Sequence, residues 1–358
     1  MNTEVRLPAE WEAHSFTQIT WPSVDSDWEA ILPEVEACYV GIVRAVTAFE
    51  PLLIVADDPD HVAELLSDEL GERIMDFVTV YACPVNDTWA RDHGFITTLL
   101  RDGSPVLTDF QFNGWGMKFA AYYDNMINQC LHEDLFPEVG YRDARRIVLE
   151  GGSIESDGRG TVMTTEECLF APNRNYFSSR EEAEGVLCRF LGAKRVLWIE
   201  NGYLQGDDTD SHVDTLARFA PHDSIVYVLC ADPSDEHYED LKEMERQIAD
   251  FRTLDGEPYR MVALPMVTPI YDPDDEEQRL PATYANFYFV NGAILVPVYG
   301  VATDEVALGV MAEAFPEYQI VPVDSRVLIR QHGSLHCSTM QFPVGIDRSF
   351  IENNVIID

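Results

Sequence analysis

Strand-like runs recur along the whole chain, and helix-like patterns follow groups of strands rather than single strands. Clear strand patterns include Leu52–Ala56 and Ile225–Cys230, and clear helix patterns include Arg180–Leu191 and Asp235–Phe251. A doubly wound sheet alternates one strand with one helix, whereas this order favours repeated ββαβ-like units. We therefore expect an α/β protein built from such units, although no repeat is visible residue by residue.

No Pro-, Gly- or Ser-rich linker interrupts the 358 residues, so we predict a single domain over residues 1–358. Apolar runs predict continuous strands at Ile147–Ile154, Phe287–Val298 and Leu335–Phe342. The acidic run Asp272–Glu277 lacks the spacing of a calcium-binding loop, and we expect it to be a solvated loop.

Acidic residues outnumber basic ones, with 63 Asp and Glu against 24 Lys and Arg, which gives a net charge of −39. Such a field repels phosphate backbones and attracts small cations, so no nucleic-acid partner is expected. No run reaches the roughly 18 apolar residues of a membrane span, so no membrane partner is expected either. The start Met1–Glu12 lacks the pattern of a signal peptide, and we expect a cytoplasmic protein.

Four polar, glycine-containing segments stand at strand ends, where catalytic groups concentrate on loops. They span residues 86–94, 150–153, 206–214 and 332–338. Together they offer a thiol, imidazoles and carboxylates, which allow a thiolate nucleophile, a histidine acid and base, and acids that hold a cation. A guanidinium suits such a site because its planar N–H fork stays protonated and binds carboxylates bidentately.

The same residues leave two other interpretations open. His212-Val213-Asp214 with a distant His332 or His336 matches the H-x-D…H pattern of an iron site with two histidines and one carboxylate. Alternatively, the aspartates form a solvated turn and Cys337 is an inert core thiol, in which case the protein only binds a partner. The seven cysteines have no C-x-x-C spacing, which argues against a disulfide framework.

Several specific runs of residues stand in a fixed order along nearly the whole chain. They are Leu7–Trp11 with Thr20–Pro22, Asp87–Asp92, Phe112–Gly116, Glu150–Ser153, Asn173–Asn175, Asp207–Asp214, Leu280–Phe287 and His336-Cys337. In these runs the sequence resembles the agmatine deiminase and bacterial-type (Porphyromonas-type) peptidylarginine deiminase family of guanidine-modifying hydrolases. The resemblance implies a five-bladed, pseudo-symmetric α/β propeller (pentein) of ββαβ modules, with the active site in a central channel and with no metal or other cofactor.

The resemblance also implies a role for each matching site residue. Cys337 would be the nucleophile and His212 the general acid and base, with the carboxylates of Asp92, Glu150 and Asp214 around the guanidinium. Thiolate attack on the guanidinium carbon would release ammonia, and a water activated by His212 would then release a ureido product. Since a free cysteine has a pKa of about 8.5, we expect the thiol to ionise only beside the bound cation.

The implied substrate is a small cationic guanidine. Trp89 and Asp208 match positions that face the distal amine in the agmatine branch, and Trp115 is expected beside the substrate. The implied reaction converts agmatine and water to N-carbamoylputrescine and ammonia, a step of putrescine and polyamine synthesis. The chain departs from that branch at Gln331–Leu335, where agmatine deiminases usually have Gly-Gly-Gly-Asn-Ile. Peptidyl-arginine or another small guanidine therefore remains an alternative substrate. The sequence leaves open whether the protein forms a homo-oligomer.

Overall fold

The computed structural model describes residues 5–349, which hold nineteen strands, nine α-helices and five short 3-10 turns. The strands are β1 (Val5–Arg6), β2 (His14–Thr20), β3 (Leu52–Ala56), β4 (Val78–Ala82), β5 (Ile96–Leu100), β6 (Pro105–Gln111), β7 (Gly140–Val148), β8 (Ile154–Ser156), β9 (Thr161–Thr165), β10 (Arg195–Ile199), β11 (Ala217–Ala220), β12 (Ser224–Leu229), β13 (Arg260–Pro265), β14 (Tyr271–Asp272), β15 (Asp275–Arg279), β16 (Tyr288–Val290), β17 (Ala293–Val298), β18 (Gln319–Asp324) and β19 (Thr339–Pro343).

The helical segments are α1 (Leu32–Thr47), α2 (Pro59–Leu70), α3 (Ala90–His93), α4 (Gly114–Met117), α5 (Asp124–Asp134), α6 (Glu166–Leu169), α7 (Arg180–Leu191), α8 (Tyr238–Asp250) and α9 (Thr303–Ala314). Across the described part of the chain, none of them is both long and apolar enough to cross a lipid bilayer. The first four residues of the Met1–Glu12 start and the last nine of the expected 1–358 domain lie outside the described residues.

Five of the sheets share one strand order. An antiparallel pair comes first, and a third strand then runs parallel to its neighbour after a crossover helix, as parallel strands require. In one sheet β5 pairs with β6, and α5 leads to β7. The sheets β8–β10, β11–β13 and β16–β18 repeat this order with α7, α8 and α9. The α/β class expected from the sequence is confirmed, and each of these sheets has the order of a ββαβ unit.

The fifth sheet joins the two ends of the described chain. Its antiparallel pair is β19 with β2, and α1 and α2 then lead to the parallel strands β3 and β4. Phe342 of β19 stacks on Phe16 of β2 with ring centroids 4.5 Å apart. Helix α1 has apolar residues at helical spacing, among them Val35, Tyr39 and Val46, so one face of the helix is buried in the core beside β3.

Two predicted strands are interrupted by turns. In the predicted strand Ile147–Ile154, β7 ends at Val148 and a 3-10 turn over Gly151–Ser153 comes before β8. The predicted strand Phe287–Val298 is the hairpin β16–β17, whose turn contains Gly292 at a φ of 86°. Both predictions are wrong because the apolar pattern continues through short turns that glycine permits.

Two further expectations need correction. Within Leu335–Phe342 only the residues from Thr339 onward form a strand, because the preceding residues make a turn in which the backbone N–H of Thr339 donates to the carbonyl of His336. The acidic run Asp272–Glu277 is part of the hairpin β14–β15 rather than a loop, and most of its side chains stay exposed to solvent.

The segment before the antiparallel pair of each of these five sheets carries a polar residue of the pocket region described below. These residues stand two to four positions before β5, β8, β11, β16 and β19, and they are Asp92, Glu150, Asp214, Asn286 and Cys337. The repeated strand order therefore places one chemical group from each of these five sheets at an equivalent position.

Candidate active site

Cys337 is one of twelve residues that line a pocket of about 420 Å³, called here the Cys337 pocket. None of the twelve is Lys or Arg, and four are aspartates: Asp27, Asp87, Asp92 and Asp208. Five of the predicted site residues line this pocket, namely Cys337, Asp92, Trp89, Asp208 and Trp115. The other three, His212, Glu150 and Asp214, are fully buried and do not line it. The acidic lining favours a cationic ligand.

The thiol of Cys337 is buried beside polar groups from other sheets. Its Sγ lies 3.4 Å from Asn286 Oδ1 and 3.9 Å from Asp214 Oδ2. Burial raises the pKa of the Cys337 thiol well above its usual value, and the carboxylates of Asp214 and Asp92 raise it further. The sulfur is therefore a neutral thiol in the free protein.

His212 is a neutral base without a fixed partner. Burial lowers the pKa of its imidazole to about 3. Its Nδ1 is 3.7 Å from Asp92 Oδ1 and its Nε2 is 4.0 Å from Glu150 Oε2. Neither ring nitrogen has a hydrogen-bond partner within residues 5–349. Unpartnered buried nitrogens are costly, so these two are available to a ligand or a water.

Asp92 is held by two donors. The indole Nε1 of Trp115 donates to Oδ2 at 2.9 Å, and the backbone N–H of Gly152 donates to Oδ1 at 3.0 Å. Burial raises the pKa of Asp92 well above its usual value, with Asp214 and Glu150 adding to the effect and the two donors opposing it. Trp115 thus supports a carboxylate of the site in addition to lining the pocket.

Gly152 fills the centre of this cluster without a side chain. A Cβ at this position would lie 2.6 Å from His212 Nδ1, 2.8 Å from Asp92 Oδ1 and 3.1 Å from Asp214 Oδ2. Distances below 3.0 Å are not tolerated without displacement, so only glycine lets these three side chains converge.

Glu150 is paired with a buried cation that the sequence analysis did not single out. Arg174 Nε donates to both carboxylate oxygens of Glu150, at 2.9 and 3.1 Å, and its other nitrogens bind Asp210 and the carbonyl of Thr209. Burial nevertheless keeps the pKa of Glu150 above its usual value. The signal for Arg174 was present in the matching run Asn173–Asn175.

Two more polar neighbours of Cys337, His336 and Asn286, were given no role in the predicted hydrolase site, although His336 was considered as an iron ligand. His336 Nδ1 lies 2.7 Å from Asp214 Oδ2, and Asn286 Oδ1 accepts the backbone N–H of His336 at 2.9 Å. Burial alone would raise the pKa of Asp214, but the hydrogen bond and charge of His336 lower it overall. Asn286 could have been found because it directly precedes the apolar run that starts at Phe287.

The segment Gln331–Leu335, where the chain departs from the agmatine-branch pattern, forms part of the wall of the Cys337 pocket. Gly333 lies against the ring of Trp89, where an added Cβ would be 2.3 Å from the nearest ring carbon. His332 Nε2 is 3.7 Å from Asp208 Oδ2, and Gln331 also lines the pocket. Of the residues that differ from the agmatine-branch pattern, Gln331 and His332 are therefore in position to contact a substrate.

The H-x-D…H arrangement considered for iron is not assembled. Over residues 5–349, the His, Cys and acidic ligand atoms close enough to share an ion belong to Glu150, Cys168 and His212, whose ligand atoms lie within 4.8 Å of one another. Both oxygens of Glu150 already accept from Arg174. Neither His332 nor His336 belongs to that group.

A buried thiol, an imidazole with no partner among residues 5–349 and converging carboxylates are groups that a hydrolase with a cysteine nucleophile can use. Comparison with known proteins agrees with this class. The model of the Porphyromonas-type peptidyl-arginine deiminase family matches residues 6–343, and the chain belongs to this family.

Three relatives indicate where in the family the chain stands. A Porphyromonas gingivalis protein provisionally described as an arginine deiminase is 48% identical, with a TM-score of 0.89 over 96% of this chain and 100% of that one. Agmatine deiminase of C. jejuni, solved with substrate bound, is 35% identical, with a TM-score of 0.86 over 96% of this chain and 97% of that one. A Legionella pneumophila protein provisionally named agmatine deiminase is 31% identical over 94% of both chains.

Proposed function

We propose that this protein is a guanidine iminohydrolase that converts agmatine and water to N-carbamoylputrescine and ammonia through a covalent thiouronium on Cys337. The observation that carries the proposal is the acidic pocket that reaches Cys337, with four aspartates and no Lys or Arg among its lining residues. The relatives named as agmatine deiminases support the substrate class. The product would feed putrescine synthesis.

A bound substrate supplies the positive charge that stabilises the thiolate form of Cys337. Burial and the negative charges of Asp214 and Asp92 hold the pKa of Cys337 high in the free enzyme. A guanidinium bound between these carboxylates would cancel their field and stabilise the thiolate. The nucleophile would therefore form only where its target is already in place.

The chemistry then runs in two balanced halves. Sulfur bonds to the guanidinium carbon, and the C–N bond breaks as ammonia leaves with the thiol proton, which His212 transfers. A thiouronium cation remains on Cys337. Water then adds with His212 as base, and the C–S bond breaks with its electron pair on sulfur. One water proton restores the thiol, and the other leaves the site.

The walls of the pocket favour a substrate with a second positive charge. Asp27, Asp87 and Asp208 line the same cavity as Asp92, so a diamine-like chain meets carboxylates beyond the reacting guanidinium. The indole of Trp89 lines it as well and provides an apolar surface for a methylene chain. A peptidyl-arginine carries no such second charge on its side chain, which makes it the second candidate.

The arrangement of the five sheets relative to one another is a separate proposal. We propose that the five ββαβ sheets are arranged as a pseudo-symmetric propeller around a central channel. Support comes from the common strand order, from the equivalent loop positions of the five polar residues, and from the pairing of β19 with β2, which would close the ring.

The decisive experiment is ammonia release from agmatine, free arginine and a blocked arginine peptide. We expect robust turnover of agmatine by the wild-type protein and none by Cys337→Ala. Cys188→Ala serves as the matched control because this thiol lies exposed on α7. Turnover of a different guanidine would keep the chemistry and change the substrate, whereas full activity of Cys337→Ala would refute the proposed mechanism.

A further inference from the structure

Glu10 does not line the Cys337 pocket, but it contacts residues directly behind it. Its Oε2 is 2.6 Å from His336 Nε2, 2.9 Å from Arg218 Nη2 and 3.4 Å from Arg91 Nη2. Its Oε1 accepts the backbone N–H of Phe289 at 3.0 Å. Glu10 lines a second pocket that shares no residue with the first. Any effect of Glu10 on the reaction therefore has to pass through its neighbours.

Two of these contacts lead to the reacting groups. On one side, His336 Nδ1 lies 2.7 Å from Asp214 Oδ2, and the same oxygen is 3.9 Å from the sulfur of the next residue, Cys337. On the other side, the backbone N–H of Arg91 donates to the carbonyl of Cys337 at 3.0 Å, and Arg91 directly precedes Asp92. A single carboxylate thus joins the segments that carry Asp92, Asp214 and Cys337.

The imidazole of His336 has a carboxylate oxygen at each ring nitrogen. A carboxylate accepts hydrogen bonds and donates none, so each of the two short N···O contacts requires a proton. A neutral imidazole supplies only one. Two hydrogen bonds to this imidazole would therefore need a second, buried proton within Glu10, His336 and Asp214, a proton that burial and the guanidinium groups of Arg218 and Arg91 oppose.

We propose that Glu10 is a positioning residue for the deimination: acting through His336 and Arg91, it fixes Asp214 and the Cys337 loop and holds a proton shared across Glu10, His336 and Asp214. The kinetic part of this proposal rests on the proposed function. The shared proton rests on the contacts alone.

Two substitutions separate the charge of Glu10 from its contact with His336. Glu10→Gln keeps the length and an acceptor for Phe289 but removes the carboxylate. Glu10→Asp keeps the negative charge but shortens the side chain by one methylene, so one oxygen can no longer hold both His336 and Arg218 at the present distances. We expect both to lower kcat at least about tenfold while KM stays within about threefold, because Glu10 does not touch the substrate pocket. Thr97→Val, which changes an unpartnered hydroxyl lining the same second pocket, is the control and keeps wild-type kinetics.

Proton NMR of the free protein tests the shared proton without turnover. We expect two strongly deshielded imidazole N–H signals from His336 in the wild-type protein, both displaced in Glu10→Gln and Glu10→Asp. A single ordinary N–H signal, or a wild-type kcat in Glu10→Asp, would refute the proposal. If Glu10→Gln does not fold, the kcat and the N–H signals of Glu10→Asp test the proposal on their own. If the wild-type protein releases no ammonia from any guanidine, the proposed function fails, and the alkylation rate of Cys337 replaces kcat as the readout.

Discussion

The ionisation of Cys337 is controlled by its neighbours rather than by its own chemistry. Burial, Asp214 and Asp92 all raise the pKa of the thiol, which disfavours the thiolate in the free protein. We expect the ultraviolet thiolate absorbance, measured against Cys337→Ala, to emerge only well above pH 9 without ligand and at lower pH with a bound guanidinium. Full ionisation at pH 7 in the free protein would contradict this account.

Gly152 permits three side chains to occupy one small volume. Gly152→Ala would place a methyl group 2.6 Å from His212 Nδ1 and 2.8 Å from Asp92 Oδ1. We expect the free energy of unfolding to fall by about 1–3 kcal/mol, as overpacking usually costs, and ammonia release to fall at least about a hundredfold. The measurements are urea unfolding and steady-state kinetics.

The matched control is Gly185→Ala in α7, where an added Cβ meets nothing within 4 Å. It should raise the free energy of unfolding by about 0.5–1 kcal/mol, because alanine favours a helix over glycine, and leave activity unchanged. Equal behaviour of the two variants would show that the space around Gly152 is not limiting.

The sequence analysis selected groups that can react themselves and passed over groups that bind and hold them. Cys337 and His212 stand out because a thiol and an imidazole lie in polar segments that match a family pattern. Glu10 and Arg174 are hundreds or tens of residues away from the groups they bind. Both residues lie in runs that match the family pattern, Leu7–Trp11 and Asn173–Asn175, but the match does not say which groups they bind, and only the packed structure brings the pairs together.

The bounds of strands and helices were predicted best where a single hydrophobic pattern extends over the whole element. The strand Leu52–Ala56 and the helix Arg180–Leu191 have the predicted bounds. Errors arose where strand-like residues continue through a turn, as before Thr339, because β-propensity does not register the hydrogen bonds that close a turn. That turn is also the one that presents Cys337, so the local failure of the prediction coincides with the site.

The carboxyl group of Asp124, at the start of α5, is buried and therefore costly to ionise. Asp124 Oδ1 accepts the backbone N–H groups of Asn86 and Asp87, at 2.7 and 3.2 Å, while its Oδ2 has no partner within the described chain. Burial raises the pKa of Asp124 to about 8, against roughly 3.9 in an unfolded chain. Between these values the folded protein binds more protons than the unfolded one, so stability falls as pH rises from about 4 to about 8.

Asp124→Asn removes this ionisation and keeps an acceptor for the two N–H groups. We expect little change in the free energy of unfolding near pH 4 and a gain over wild type of at least about 1 kcal/mol at pH 8.5. Urea titrations at both pH values measure it. Asp60→Asn, at an exposed position in α2, should show no such pH-dependent gain. A loss of stability at both pH values would mean that the carboxylate itself is needed.

The net charge of −39 acts on the molecule as a whole. A cationic substrate is attracted from a distance at low ionic strength, and the attraction is screened as the Debye length shrinks from about 30 Å at 0.01 M to about 10 Å at 0.1 M. We expect kcat/KM for agmatine to fall several-fold over this range while kcat stays constant. Alkylation of Cys337 by neutral iodoacetamide should not change, whereas alkylation by anionic iodoacetate should become faster as salt is added.

The source of this attraction can be assigned by a single substitution. Asp27 is exposed and lines the Cys337 pocket, so Asp27→Asn removes one charge of the pocket and leaves 62 of the 63 acidic residues in place. If the summed field of the molecule steers the substrate, the salt dependence of kcat/KM survives almost unchanged in this variant. If the aspartates of the pocket alone attract the cation, a clear part of the dependence disappears with Asp27, because one of the four is then neutral. If kcat/KM of the wild-type protein does not change with salt, neither the whole molecule nor the pocket attracts the substrate from a distance. The acidic surface would then contribute to solubility alone.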